Sequence, residues 1–344
     1  MLTAVAALLI QSAMGNLAAT PPSGNARATV IGLFKSRNIV CIPERHGDKV
    51  VHDFLRDLIT DKALVEAGVR DIVVEFGSAK YQGVMDRYIA GGTVRKSELQ
   101  KAWRETTQFL VWDSPMYESF FRMVRDVNSR IPAKKRLRVL LGDPPIEWER
   151  VHTKQDFLKF FDRDLSMANV VQREVLAKKR KALLIAGGMH LICERDPAEV
   201  ITDEYRSVGD LLRRRHGNQV FLFWYTTGPI PGQSGPGVHA LALKGSVLEN
   251  SSFAPFAPKG FAIKKIVDGQ TKWVPAEAKD WPKAPVMTDG LIDYGQAKKE
   301  ILALPSVYKD ADYVKELHRR AGVMKSALDI DFESWLKDAI NGKG

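Results

Sequence analysis

The chain has 344 residues, of which 45% are hydrophobic and 27% are charged, and its formal net charge at pH 7 is +10. This length and composition are typical of a globular protein with one large domain or two small ones. No stretch reaches the roughly 18 to 20 apolar residues that a membrane-spanning helix needs, and the scattered basic residues predict no nucleic-acid partner.

Residues 1–20 are predicted to be an export signal. The segment 4–10 is apolar, and residues 12–15 are small residues at the spacing of a signal-cleavage site. The first cationic side chain is Arg27, so the basic region of such a signal is missing, and an N-terminal core helix is the alternative. An export signal would place the protein in the periplasm or outside the cell; without one it would be cytoplasmic. Residues 21–35 are predicted to be a linker and lead-in.

Short apolar runs alternate with amphipathic stretches over residues 36–226. The predicted strands are 38–42, 71–76, 136–141, 182–186 and 219–225. The predicted helices are 49–60, 81–90, 114–129, 156–181 and 203–215. Asp48 and Ser114 are predicted N-caps, and Pro115 suits the first helical position.

Strands that alternate with helices predict βαβ units. The expected fold is therefore α/β, with a mainly parallel central sheet flanked by helices on both faces. Residues 36–226 are predicted to form the core domain that carries the functional site. After residue 226 the chain becomes rich in Gly and Pro, and residues 227–344 are predicted to be a C-terminal extension of short strands and helix packed on the core.

Ionisable residues follow four of the predicted strands. Glu44 and His46 come after the first, Glu75 lies at the end of the second, Asp143 follows the third and His190 follows the fourth. Ligands of open α/β sheets bind at the carboxyl ends of the strands. We therefore expect these side chains to converge in one pocket.

Two chemistries fit this set of residues. A histidine held by a carboxylate acts as a general base, which suits His46 paired with Glu75 or Glu44, with His190 as a second acid/base group. No nucleophile-elbow motif is present, so water would be the attacking group. The same four residues, His46, His190, Glu44 and Glu75, are also valid ligands for a divalent metal. The residues alone leave both alternatives open.

Arg163 and Asp164 are predicted at the edge of the pocket. An arginine there can recognise a carboxylate or phosphate through two hydrogen bonds. A surface location on a helix is the alternative. Asp143, Arg163 and Asp164 are the candidate substrate-binding residues. His52, on the first helix of the core, is expected at the surface or behind the site, and His216 is expected to face solvent. Cys41 and Cys193 are too few for a disulfide framework.

Several segments resemble known families. Residues 44–47 are similar to the G-E-x-x-H-G segment of erythromycin esterase-like proteins and to the G-E-x-H segment of ChaN-like haem-binding proteins. Glu75 matches the strand glutamate of the esterases, and residues 163–170 resemble their R-D-x-x-M-A-x-N motif. Residues 187–190 resemble the late histidine motif of the esterases and the G-x-x-H of the ChaN and Tiki groups.

The resemblance implies an EreA/ChaN-like α/β fold. In the esterases the matching residues direct water onto a macrolide lactone, which would make Glu44, His46, Glu75 and His190 the active site. ChaN-like proteins bind haem, and Tiki-type relatives are metal-dependent peptidases. Only one residue separates Glu44 from His46, where the esterases usually have two, and Pro43 replaces their usual Gly.

The first hypothesis is an esterase-like hydrolase of a small molecule. His46 would be the base, oriented by Glu75, with Glu44 and His190 completing the site and Arg163 orienting substrate or holding the active-site loops. The alternative is a haem- or metal-binding protein without catalysis, or a metal-dependent hydrolase. The cofactor therefore stays open between none, a divalent metal and haem, and the sequence does not predict the oligomeric state.

Overall fold

The computed structural model describes residues 25–193, 206–226, 228–233, 235–257, 262–267, 270–296, 301–328 and 331–341. The strands in this part of the chain are β1 Ile39–Glu44, β2 Val69–Ser78, β3 Arg138–Asp143, β4 Lys181–Gly187, β5 Val220–Tyr225, β6 His239–Ala242, β7 Ala262–Val267, β8 Gln270–Pro275 and β9 Gly290–Asp293.

The main sheet has the strand order β3, β2, β4, β1, β5, β9, β6. Neighbouring strands from β3 to β9 run parallel, and β6 is antiparallel to β9. Strands β7 and β8 form a separate antiparallel hairpin. Because β3, β2, β4 and β1 are parallel neighbours, their carboxyl ends meet along one edge of the sheet.

Helices cover both faces of this sheet. In the described residues they are α1 Ala26–Leu33, α2 Lys49–Thr60, α3 Lys62–Glu66, α4 Gln82–Ile89, α5 Lys96–Leu99, α6 Lys101–Arg104, α7 Pro115–Ser129, α8 Lys154–Leu158, α9 Arg163–Val170, α10 Val208–His216, α11 Ala284–Met287, α12 Ala311–Leu328 and α13 Phe332–Ile340.

Alternate side chains of the strands enter two different cores. Val40 and Ile42 of β1 pack with α1, α2, α4 and α7, whereas Ile39 and Cys41 pack with α9 and α10. This is the period of two that a strand buried on both faces requires. The predicted fold class, a mainly parallel sheet with helices on both faces, is confirmed.

Local signals placed several helices correctly. Helix α2 covers the predicted residues 49–60, and Asp48 accepts a hydrogen bond from the Val50 N–H at 2.8 Å. Helix α7 starts at Pro115, with Ser114 as its N-cap. Caps and first-turn prolines act within a few residues of chain, so they can be identified without tertiary information.

The prediction of one helix over residues 156–181 is wrong. Helix α8 ends at Leu158, and α9 begins at Arg163 after Asp162, whose side chain accepts a hydrogen bond from the Leu165 N–H at 2.8 Å. A π-helical segment, Val171–Leu176, then leads towards β4. The apolar periodicity runs through both helices, but the Asp162 cap interrupts the backbone hydrogen-bond ladder.

Helix α10 begins later than predicted. It starts at Val208, and Ser207 is its N-cap, accepting a hydrogen bond from the Asp210 N–H at 3.0 Å. Residues 203–205, predicted as the first turn, lie outside the described residues.

The residues after 226 are joined to the core in two ways. Strands β9 and β6 extend the main sheet beyond β5, so the sheet continues across the predicted domain boundary. Helices α12 and α13 share an apolar cluster with Phe109, Trp148 and Phe157 of the preceding region. The boundary itself stays a prediction.

The predicted export signal lies outside the described residues. Helix α1, with Ala26 and Val30 buried, occupies part of the predicted linker and lead-in. No helix in the described part of the chain is long and apolar enough to cross a membrane. Cys41 and Cys193 are both buried and not paired in a disulfide.

Candidate active site

The structure brings the predicted ionisable residues together at one edge of the sheet. Glu44 is the last residue of β1 and lies level with Gly187 of β4. Glu75 lies in β2, and Asp143 is the last residue of β3. His190 follows in the short turn after β4. The parallel order of these strands is what places residues far apart in the chain side by side.

One half of the site is built around Glu44, which is 2% exposed. Its Oε2 lies 3.2 Å from His46 Nδ1. Its Oε1 lies 3.0 Å from His52 Nε2 and accepts a hydrogen bond from the Tyr117 hydroxyl at 2.8 Å. The carboxylate that orients His46 is therefore Glu44 rather than Glu75. Glu44 ends β1, and His46 lies in the turn that directly follows, so the two side chains meet locally.

The other half is built around Glu75, which is fully buried. Its Oε1 accepts a hydrogen bond from Arg163 Nη2 at 2.5 Å and lies 3.2 Å from His190 Nε2. Its Oε2 accepts the backbone N–H of Gly187 at 2.6 Å. Both oxygens of Glu75 are thus occupied by partners from the protein itself.

The predicted substrate-binding residues complete this buried network. Asp143 accepts hydrogen bonds from Arg163 Nε at 3.0 Å and from the Thr107 hydroxyl at 2.6 Å. Asp164 accepts from His190 Nδ1 and from the Val208 N–H, at 2.8 and 2.7 Å. Arg163 and Asp143 are buried and hydrogen-bond to each other, so their geometry does not support a direct contact with substrate.

Gly187 lets the two halves approach each other. A Cβ atom at this position would lie 3.0 Å from His46 Cε1 and 3.4 Å from Glu75 Oε2. Such a contact is closer than a side-chain carbon tolerates without displacing the imidazole. The glycine that ends β4 therefore keeps space for the His46 ring, which also contacts the ring of Trp112, with centroids 4.7 Å apart.

The protonation states follow from burial opposed by close partners. Burial raises the pKa of Glu44, but hydrogen bonds from His46 and His52 outweigh it and lower that pKa to about 2. Burial acts in the same direction on Glu75, yet the charges of His190 and Arg163 hold the pKa of Glu75 well below its usual range. Both glutamates are therefore ionised at neutral pH.

The pKa values of the two histidines are set by the same opposition between burial and close partners. Burial lowers the pKa of His190, but Glu75 and Asp164 overcome this effect and raise it to about 10, so His190 is an imidazolium at neutral pH. Burial also lowers the pKa of His46, and the hydrogen bond and charge of Glu44 together raise it above its usual value of 6.5. Both histidines therefore gain proton affinity from their carboxylate partners.

A cavity of about 450 Å³ opens above His46. Most of its wall is apolar: Leu110, Val111, Ile301, Leu302, Pro305 and Trp335. The His46 side chain is 39% exposed, whereas the Glu75 side chain is 1% exposed. The Ile301 N–H donates to the Gly47 carbonyl at 3.0 Å, which ties the C-terminal wall of the cavity to the turn that carries His46.

The predicted metal site does not fit this geometry. Among the described residues, no group of three His, Cys, Asp or Glu side chains is arranged to hold a metal ion. The Arg163 guanidinium, a permanent cation, already lies between Glu75 and Asp143. Haem is different, because a single side chain could hold it. His46 would be that residue, since it lines the cavity and its Nε2 forms no hydrogen bond with any described residue.

Two side chains outside the predicted site residues also contribute to the site. Tyr117 and His52 both hydrogen-bond to Glu44, which agrees with the second of the two locations expected for His52, behind the site. They come from α7 and α2, whose mutual packing brings them to the same carboxylate. The one available signal was the position of His52 in the first turn of α2, six residues after His46, and it was too weak to distinguish the two locations.

No model of a known protein family matches the sequence, and no curated protein matches it. Solved structures with similar folds include a Bacillus cereus protein, with 11% identity, coverage of 79% of this chain and 92% of that chain, and a TM-score of 0.47. A mutant of erythromycin esterase EreC in its open conformation has 13% identity, coverage of 80% and 95%, and a TM-score of 0.46. ChaN of Campylobacter jejuni, solved with haem, has 14% identity, coverage of 59% and 86%, and a TM-score of 0.37.

The TM-scores of these three structures are all below 0.5. The similarity is one of overall fold, and it does not identify the ligand or the reaction of this chain.

Proposed function

We propose that this chain is a hydrolase in which His46 acts as general base on water for the cleavage of an ester or lactone. The observation that carries the proposal is the position of His46. It is the imidazole that lines the cavity, and its Nδ1 is held by a buried carboxylate while its Nε2 remains available. A base needs this combination of access, orientation and charge stabilisation.

The reaction follows from that arrangement. His46 Nε2 takes a proton from a water molecule in the cavity, and the water oxygen bonds to the substrate carbonyl carbon. The imidazolium that forms is stabilised by Glu44, 3.2 Å from Nδ1. When the tetrahedral intermediate collapses, the bond from carbon to the leaving oxygen breaks, and His46 returns its proton to that oxygen.

Glu75, Arg163 and His190 support the site from behind. They are buried or nearly so, Arg163 and His190 each contact Glu75 within 3.2 Å, and none of the three lines the cavity. Their proposed contribution is to fix the ends of β2 and β4 around the His46 ring. Of the two roles predicted for Arg163, we propose the second, holding the active-site loops, rather than orienting substrate.

The cavity indicates the kind of substrate. Its wall is mostly apolar, with the hydroxyl groups of Ser114 and Tyr308 among the polar groups that line it. A volume of about 450 Å³ is within the range of sites for drug-sized molecules. We therefore propose an uncharged, largely apolar ester or lactone.

The test is hydrolysis of a panel of aliphatic esters and lactones by wild type and by His46→Ala. We expect kcat/KM to fall by about 10² to 10⁴-fold, the usual contribution of a general base, with an unchanged circular dichroism spectrum. His216→Ala is the matched control, because His216 ends α10 and does not line the cavity. Equal activity of wild type and His46→Ala would exclude His46 as the base.

The haem alternative is checked on the same samples by absorption spectroscopy and elemental analysis. A Soret band in wild type that His46→Ala loses, together with no hydrolysis of any ester in the panel, would replace the hydrolase proposal with haem binding. A colourless wild type that hydrolyses an ester would retain it.

A further inference from the structure

The two oxygens of Glu44 have different partners. Oε2 faces His46 alone, at 3.2 Å from Nδ1. Oε1 accepts from the Tyr117 hydroxyl at 2.8 Å and lies 3.0 Å from His52 Nε2. Since the Glu44 side chain is not exposed at all, water does not share its charge, and these three side chains are its described hydrogen-bond partners.

We infer that His52 and Tyr117 are positioning residues of the proposed hydrolase: through Oε1 they fix the Glu44 carboxylate against His46 and take up part of its negative charge. The inference rests on the proposed role of His46 as base. His52 of α2 and Tyr117 of α7 would thereby set how strongly Glu44 favours the protonated form of the His46 ring.

Neither side chain is placed to touch a substrate in the cavity above His46. Tyr117 is fully buried, and its ring contacts Phe76, Trp112 and His52. The His52 side chain is 10% exposed and lines a different cavity, of about 300 Å³, between α2 and α7. Both residues therefore act through Glu44.

Tyr117 also fixes the turn that carries His46. Its hydroxyl accepts a hydrogen bond from the Gly47 N–H at 3.3 Å, and Gly47 has a φ of 74°. Glycine adopts a positive φ more easily than other residues do, which allows a sharp turn after His46. The Tyr117 hydroxyl holds this turn directly at Gly47 and, through Glu44, at His46. The same hydroxyl thus links the position of the imidazole to that of its carboxylate.

The charge balance explains why such residues are needed. A dry carboxylate bonded to His46 alone would raise the pKa of His46 further, which would reduce the fraction of unprotonated rings able to accept a proton from water. Each further donor to Glu44 weakens that effect. The other titratable or charged groups around His46 are Glu75 of β2, Arg163 of α9, the Tyr308 hydroxyl, and the Arg45–Asp48 pair of its own turn. Glu75 favours the protonated ring, and Arg163 opposes it.

The experiment is an NMR titration of the His46 imidazole in full-length protein, assigned with His46→Ala. His52→Leu and Tyr117→Phe each remove a donor to Oε1, and we expect each to raise the pKa of His46 by about half a unit or more, which is about threefold in proton affinity. His52→Gln keeps a donor and should stay near wild type. Glu44→Gln removes the negative charge and should lower the pKa of His46.

The acid limb of the kcat/KM profile should move with the NMR value in each variant. A purely structural role would lower activity without this pattern of opposite shifts and without rescue by His52→Gln. An unchanged or lowered His46 pKa in both His52→Leu and Tyr117→Phe would overturn the inference. If His52→Leu does not fold, the His46 pKa in Tyr117→Phe alone decides. The titration needs no substrate, so it tests the positioning roles separately from the hydrolase proposal. The expected pKa shifts without ester hydrolysis would support the positioning roles and reject the hydrolase. Ester hydrolysis without the pKa shifts would reject the positioning roles alone.

Discussion

The buried Arg163 guanidinium holds two carboxylates from different strands. Its Nη2 donates to Glu75 at 2.5 Å and its Nε to Asp143 at 3.0 Å, and the residue is 8% exposed. Three charges removed from water are tolerated because the guanidinium lies between the two carboxylates and hydrogen-bonds to both. The arginine is therefore needed for the stability of this edge of the sheet, whether or not it has a role in catalysis.

Replacing Arg163 by Met should destabilise the protein by about 3 to 5 kcal/mol, the cost of leaving buried carboxylates without their cation. Urea unfolding measures this change. Arg173→Met is the matched control, since the Arg173 side chain is 67% exposed and its pair with Glu174 lies on the surface, so we expect a loss below about 1 kcal/mol there. Similar losses in both variants would show that the buried network does not carry stability.

Helix α9 positions the site through its first turn. Asp162 caps the helix, Arg163 and Asp164 follow at once, and Asp164 accepts hydrogen bonds from His190 and from the Val208 N–H of α10. A carboxylate in a first turn also interacts favourably with the helix dipole. The beginning of this helix, rather than its length, therefore sets the geometry behind Glu75.

Replacing Asp162 by Ala should destabilise the fold by about 1 kcal/mol, the usual value of an N-cap. It should also lower kcat/KM, because the first turn of α9 carries Arg163 against Glu75. Thr153→Ala is the control: it removes the cap of α8, where Thr153 accepts from the Asp156 N–H at 3.2 Å. In that control we expect a similar loss of stability and unchanged activity. An equal loss of activity in Asp162→Ala and Thr153→Ala would count against the proposed role of α9 in positioning Arg163.

At the scale of the whole molecule, the cavity exists because distant parts of the chain meet. Its floor is His46, and much of its wall comes from residues 301–305 and from α13. Helix α12 docks these segments on the core, since Arg319 donates to the Trp148 and Val151 carbonyls at 2.6 Å. The C-terminal region thus shapes the cavity, while the edge of the sheet positions His46.

The charged edge of the sheet also predicts how global stability depends on pH. The folded-state pKa of His190, about 10, lies above the 6.5 of an ordinary histidine, so folding stabilises its protonated form. That contribution is fully present below pH 6.5 and is lost as the pH rises towards about 10. We expect the free energy of unfolding to fall over this interval.

Urea unfolding at a series of pH values measures the effect. His190→Gln, which cannot titrate, should have a flatter dependence than wild type between pH 6.5 and about 10, because the other titrating groups are common to both proteins. Parallel curves for the two proteins would show that His190 is not protonated more readily in the folded state.

Much of the sheet and its functional edge could be predicted from the sequence. The strand that ends at Glu44 and the helix from Lys49 to Thr60 follow from apolar spacing and from the Asp48 cap. The convergence of Glu44, Glu75, Asp143 and His190 follows from one rule, that parallel strands present their carboxyl ends together. These features depend on short segments of chain, which is why they need no knowledge of the packed structure.

Only the tertiary structure decided which partner each of these residues has. It paired His46 with Glu44, placed Arg163 behind Glu75, brought His52 and Tyr117 to the same carboxylate, and closed the cavity with residues from after 300. A hydrogen-bond partner is selected within about 3 Å, whereas an error of one residue in a strand or one turn in a helix moves a side chain by more than that. Patterns along the chain therefore determine which residues meet at this edge of the sheet, and packing between distant segments determines which partner each of them has.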